Sequence, residues 1–401
     1  MDYVPLAVPF FLLAIIVESI YGWIVKKNTY RCNDSISSLF MGSLRTTSKV
    51  LGISIGGYFF YWIEQEYSLW RWNGSSVFTW IFAFLIYDFF YYWFHRVSHE
   101  RQIFWASHVA HHQSEDYNLS TALRQTGTGF LFTWVFYIPL FLIGIPSYIF
   151  ISVASINLIY QFWVHTEHIP KLGWYELVFI SPSNHRVHHA QNDEYIDKNY
   201  GGVFIIWDRI FGTFQEELEN KPCLYGIRSP INTFNPITAN LHIYRKIIKD
   251  IWYSETWKEK CYVLLAKTGW SPGMPLGESF KEEFISSDFN KYNPKTNTLI
   301  NAYAFIQLIA ISSVGLLFLE SGNLNYIQGI IALGMMIFTM FCVSRWLDSK
   351  PAIGAEIYRL IGLIVLATFL YYFDVNFLII LGLLSYTFFN LASLPFLRRA
   401  N

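Results

Sequence analysis

The chain has 401 residues, of which 53% are hydrophobic and only 14% charged, whereas a soluble domain is roughly a quarter charged. Basic and acidic residues balance at 29 each, so the net charge is zero and nothing in the composition suggests nucleic-acid binding, which would need a basic surface. The four cysteines, Cys32, Cys223, Cys261 and Cys342, form no C-x-x-C pair, which argues against a disulfide framework and a thiolate zinc site.

In chain order, the first apolar stretch covers 4–24. It lacks the basic start and small-residue cleavage site of a secretory leader, and Lys26, Lys27 and Arg31 follow it, so it reads as a retained span. A span needs about 20 mostly apolar residues. Further candidates are 39–62, interrupted by Arg45 and Lys49, and then 77–94, 300–319, 326–343, 356–372 and 375–396. The apolar stretch 129–163 is longer than one span needs; Pro139 and the Gly144-Ile145-Pro146 turn divide it into a helical hairpin that returns to its starting side. With basic loops placed inside, 95–128 and 166–298 share one cytoplasmic face, and every basic cluster except lone Arg71 agrees. The expected fold is an all-α, multi-pass transmembrane helical bundle with a cytoplasmic helical cap carrying a histidine-rich dimetal site. Residues 1–298 form the catalytic part, and 299–401 a membrane block of about four helices without histidine.

Ten of the eleven histidines lie between 95 and 189. His95 and His99 are spaced H-x3-H. His108, His111 and His112 are spaced H-x2-H-H, and His185, His188 and His189 repeat that pattern. On a helix, residues three and four apart share a face, so each motif projects at least two imidazoles together. Neutral imidazole is the commonest metal ligand. Eight to ten imidazoles are too many for one metal and suit two. An all-nitrogen site favours iron, zinc, copper or nickel over calcium and magnesium. His165 and His168 stand between the triplets and join the candidate ligands, whereas isolated His242 reads as structural.

The clusters resemble those of the fatty acid hydroxylase superfamily of membrane-bound di-iron oxygenases, which includes sterol desaturases and hydroxylases. The likeness covers 80–217 and extends to Asn199-Tyr200-Gly201 and Phe211-Gly212-Thr213. The stretches 117–125, 161–167, 182–189 and 197–200 look most like the glyceryl-ether-cleaving branch, the alkylglycerol monooxygenases. The resemblance implies that His95, His99, His108, His111, His112, His185, His188 and His189 are catalytic iron ligands, with His165 as an additional one and His168 as a further candidate. It implies two iron ions (zinc in their place in purified protein), dioxygen, a lipid substrate in the membrane, and tetrahydrobiopterin or another electron donor. The reaction would place oxygen on a lipid C–H bond. At an ether-linked carbon the product collapses to a fatty aldehyde. Hydroxylation or desaturation of acyl or sterol lipids is the alternative. Metal transport fits less well, because a path would distribute ionisable residues through the spans rather than at one face. A zinc hydrolase needs only three protein ligands beside an open position.

Asp88 sits about two helical turns before His95, where its carboxylate could accept an imidazole N–H or pair helices. Glu100 and Glu167 adjoin ligand candidates, and Glu115 and Asp116 read as a polar loop. Arg124 and Arg186 read as partners of local acids rather than of a lipid head group. The aromatic run 89–94 reads as an interfacial belt.

Overall fold

The computed structural model describes residues 1–280, 284, 289–320, 326–373 and 376–400, apart from the side chains of 47–55, 314–320, 326, 328 and 400. The apolar runs become helices because lipid offers no partner for backbone N–H and C=O groups, which a helix pairs internally. In chain order these are α1 (Val4–Ile24), α2 (Cys32–Glu66), α3 (Val77–Glu100), α4 (Gln102–Ala106), α5 (Val109–His112) and α6 (Leu119–Ala122). Next come α7 (Ile138–Leu142), α8 (Ser147–Trp163), α9 (Pro182–His189), α10 (Ile206–Ile210), α11 (Pro236–Tyr253) and α12 (Trp257–Leu265). The last are α13 (Thr298–Glu320), α14 (Tyr326–Leu347), α15 (Ile353–Tyr372) and α16 (Phe377–Ala400). The described residues contain no strand, only three isolated bridges, so the fold is all-helical as expected.

Among the described residues, five helical segments are long and apolar enough to cross a membrane: Val4–Ile24, Val77–Glu100, Gly329–Leu347, Ile353–Tyr372 and Phe377–Arg399. The candidate at 39–62 lies inside the unbroken α2, partly at side chains outside the description, as does the end of the candidate at 300–319. The expected hairpin at 129–163 has only one long arm. Its first arm is two 3-10 turns, Gly129–Leu131 and Thr133–Tyr137, followed by the single turn of α7. Pro139 enters at the first turn of α7, where its missing N–H costs nothing. Gly144, at φ +85°, makes the reversal; a Cβ there would collide with the Trp70 carbonyl. The expected helical cap is mostly irregular: between α8 and α11 only α9, α10 and one 3-10 turn interrupt the loops.

The chain forms two units. The first contains 1–31, 51–231 and 240–290. Its apolar core joins α3, α7, α8 and the end of α2 through Ile63, Ala83, Tyr87, Leu140, Phe141 and Val153. A second cluster fixes α1 against α6 and α8, with Phe11 stacked on Phe162 at 4.0 Å. The second unit contains 32–50, 232–239 and 291–401. Here the fully buried guanidinium of Arg359 bonds Glu356, Gln307, Tyr303, Tyr386 and Asn390. Trp346 donates to the other Glu356 oxygen at 2.7 Å. With every charge partnered, this ion pair ties α13, α14, α15 and α16 together at tolerable desolvation cost.

Candidate metal centre

The first unit gathers nine imidazoles into two buried groups. One contains His95, His99, His108, His112 and His188, and the other His111, His165, His185 and His189. Within each, the candidate ligand atoms lie within 4.8 Å of one another. In each H-x2-H-H triplet the outer histidines, four residues apart, enter one group and the middle one enters the other. His108 and His112 enter the first group and send His111 to the second. His185 and His189 enter the second and send His188 to the first. The two triplets thus cross-link the groups, α3 adds His95 and His99, and the end of α8 adds His165.

Local structure sets these directions. α9 starts at Pro182, and a capping box pairs Ser181 with Asn184. The hydroxyls of Ser181 and Ser183 both donate to Glu176, at 2.6 and 2.7 Å, which anchors this end of the helix. Asn199 has a left-handed backbone, φ +55°, a conformation that asparagine tolerates better than most residues. Its amide bonds the Asn184 carbonyl at 3.0 Å and the Gln215 carbonyl at 2.8 Å, tying the following segment to α9.

Ring orientation comes from backbone carbonyls. The Nδ1 atoms of His95, His111, His165 and His188 donate to the carbonyls of Tyr200, Arg124, Gln161 and Lys198 at 2.8–2.9 Å. A carbonyl only accepts, so in the neutral ring each Nδ1 carries the proton and each Nε2 presents a lone pair. The Nε2 atoms of His111 and His165 then face each other across 3.4 Å. Two lone pairs at that distance repel unless a cation lies between them. Nε2 of His99, His188 and His189 and Nδ1 of His185 are buried without a hydrogen-bond partner, which native interiors rarely tolerate. This donor set fits metal cations.

Electrostatics agree. Burial, reinforced by neighbouring imidazoles, holds His112, His165, His185 and His189 well below the usual histidine range. Burial lowers His188 to about 3, against the opposing pull of the Lys198 carbonyl. The rings are neutral at physiological pH, the form that binds metal.

His168 does not join either group. Its ring packs edge-on against Tyr21, and its Nε2 would be 3.2 Å from a Cβ at Gly22, so it lies against α1. Asp88 does not receive an imidazole N–H. It accepts from Asn157 at 2.6 Å, from the Val203 and Phe204 amides at 2.9 and 3.0 Å, and from Trp207 at 3.0 Å. Asp208 takes the Tyr200 and Gly201 amides at 2.7 and 2.8 Å. Burial pushes Asp208 up to about 6, despite these bonds and one from Thr213. The two aspartates hold the segment whose Tyr200 carbonyl orients His95. Gly202 has no side chain because a Cβ would come within 2.8 Å of Asp88 Oδ1.

Glu18 and Glu176 escaped the sequence reading, and so did the role of Asp208. Glu18 is an acid within an apolar span, the signal that could have found it. It bonds Tyr30, Thr166 and the Leu119 amide. Arg186 pairs twice with Glu217, at 2.9 and 2.7 Å, and Arg31 pairs with Asp116 at 2.7 Å. Glu100 pairs with Arg96 and Glu167 with Lys27. The aromatic run contributes packing: Tyr92 is fully buried, and Phe89 meets Trp207 edge-on.

The family model for fatty acid hydroxylase matches residues 80–213, which contain all nine gathered histidines. The human protein named alkylglycerol monooxygenase is 39% identical over 355 residues, covering 87% of this chain and 79% of its own length. The zebrafish (Danio rerio) alkylglycerol monooxygenase is 35% identical, covering 92% and 83% respectively. The ornithine lipid hydroxylase OlsE of Rhizobium tropici is 29% identical over 135 residues, 33% of this chain and 41% of its own. No solved structure matches the chain.

Proposed function

We propose, for a chain that belongs to the alkylglycerol monooxygenase branch of the fatty acid hydroxylase family, that it cleaves ether lipids at the ether-linked carbon. The pairing of two imidazole groups, five and four strong, through crossed triplets supports the metal-dependent oxidation, and the 39% identity to a protein named alkylglycerol monooxygenase supports the choice of ether lipid. Two iron ions would be held there, by His95, His99, His108, His112 and His188 and by His111, His165, His185 and His189. When bound, they would supply oxidation of a C–H bond by dioxygen, with two electrons from a reductant such as tetrahydrobiopterin.

The protein orients, shields and presents. The carbonyls of Tyr200, Arg124, Gln161 and Lys198 fix four rings before metal arrives, so little rearrangement is needed on binding. Burial of all nine imidazoles excludes water. α3 and α8 are apolar and end at His95, His99 and His165, which gives an alkyl chain an apolar approach to the metals. One dioxygen, two electrons and two protons convert the ether methylene to a hemiacetal and water. The hemiacetal hydroxyl proton then passes to the glycerol oxygen as the C–O bond breaks, leaving fatty aldehyde and glycerol. The bias of basic residues to the loops of one face supports a cytoplasmic site for this chemistry.

The test is mass spectrometry of iron-loaded membranes given an alkylglycerol, tetrahydrobiopterin and dioxygen. Fatty aldehyde should form with the native chain and vanish with His111→Ala. Protein that holds two irons and makes no aldehyde would refute ether cleavage, and hydroxylated acyl and sterol lipids would then be sought.

A further inference from the structure

The polar cap contains a helical hairpin whose outer surface is unsuited to water. α11 from Leu241 onward and α12 close on a shared core of Ile247, Val263, Ala266 and Trp270. Their opposite faces are apolar too. On α11, Leu241, Ile248 and Trp252 follow i, i+7, i+11 spacing and form one exposed stripe, with Ile248 67% and Trp252 81% accessible. On α12, Trp257, Cys261 and Leu264 form a second exposed stripe at i, i+4, i+7 spacing, with Trp257 81% accessible.

Cations border the first stripe. Arg245 falls between Leu241 and Ile248 on the same face, and Lys249 beside it, and neither makes an ion pair among the described residues. Lys246, turned the other way, pairs with Asp250. Arg245, Ile248, Lys249, Trp252 and Tyr253 line one open groove, with Lys249 Nζ 5.9 Å from the Tyr253 ring centre. The exposed acid nearby is Glu255, in the turn between the helices.

We propose that this hairpin lies in the membrane interface and that the Arg245–Lys249 groove takes the phosphate of an anionic phospholipid. Helices of this composition, with Trp and aliphatic residues beside unpaired cations, bury their outer face at the headgroup boundary. An anionic headgroup supplies the charge that Arg245 and Lys249 lack, and acyl chains cover Ile248, Trp252 and Trp257. Five helical segments among the described residues are long and apolar enough to cross a membrane, which would keep the chain at a bilayer where this surface meets lipid. The interface would thus hold the histidine-bearing unit at the depth of its substrate. The inference stands apart from the choice of ether lipid.

Cys261, exposed on the α12 stripe, provides the probe. The full chain carrying Cys32→Ser, which removes another exposed thiol, is spin-labelled at Cys261 and placed in phosphatidylcholine nanodiscs with or without 30% phosphatidylglycerol. The label should collide more with oxygen than with a water-soluble nickel chelate. Phospholipid retained on the purified protein should favour phosphatidylglycerol. Arg245→Gln with Lys249→Gln should remove that preference, roughly fivefold for each cation. A nickel-accessible label in both nanodiscs would overturn the interfacial placement. An unchanged lipid preference in the double variant would overturn the phosphate groove.

Discussion

Asp88→Ala tests whether the cap is built around the metal site from a distance. The carboxylate accepts from Asn157, Val203, Phe204 and Trp207 at 2.6–3.0 Å in a fully buried position. Removing it strands four donors, and each unpaired buried group costs about 1–3 kcal/mol. Water entering the vacated space recovers part, leaving a loss of about 4 kcal/mol and a melting temperature lower by roughly 8 °C. The effect on metal should be one-sided. The 200–207 segment is released, the Tyr200 carbonyl no longer fixes His95, and His95 belongs to the five-histidine group only. Loss of such an orienting bond typically weakens metal binding by about 10–100-fold. Elemental analysis of iron-loaded protein during titration with a weak chelator should show one metal leaving early and the other leaving as in the native chain. Two metals leaving together as in the native chain, with melting unchanged to within about 2 °C, would refute the reasoning.

Three further outcomes are expected. His165→Ala should lose the metal of the four-histidine group, while His168→Ala keeps both, because only His165 lies in that group; elemental analysis distinguishes them. Metal-free protein should lose stability as pH falls from about 6.5, where histidines of the unfolded chain protonate, toward about 3, where buried His188 does. The unfolded chain takes up protons first, so melting after chelation should be lower at pH 5.5 than at 7.5, and a flat profile would contradict buried neutral rings. Arg359→Leu should cost roughly 3–5 kcal/mol by leaving Glu356 charged and buried. Adding Glu356→Gln should restore part of it, read by thermal melting in detergent.

Much of this protein is written locally. Apolar runs of twenty residues dictate spanning helices whatever their neighbours, so α1, α3, α14, α15 and α16 were legible at once. The histidine spacings likewise carry their own geometry, because residues four apart on a helix must share a face. Which histidine serves which group was not legible. The crossing of the triplets depends on how α9 meets the turn around His108, and His165 and His168 differ only in what their rings meet. His165 meets the site, whereas His168 meets Tyr21 of α1. Asp88 was noticed for its cost inside a span, but its partners lie at Asn157 and 203–207, and Asp208 and Glu176 give no local signal at all. Spacing along one helix is fixed by the backbone repeat. Contacts between distant segments are fixed by packing and by the need to pair every buried donor, and only the tertiary structure decides those.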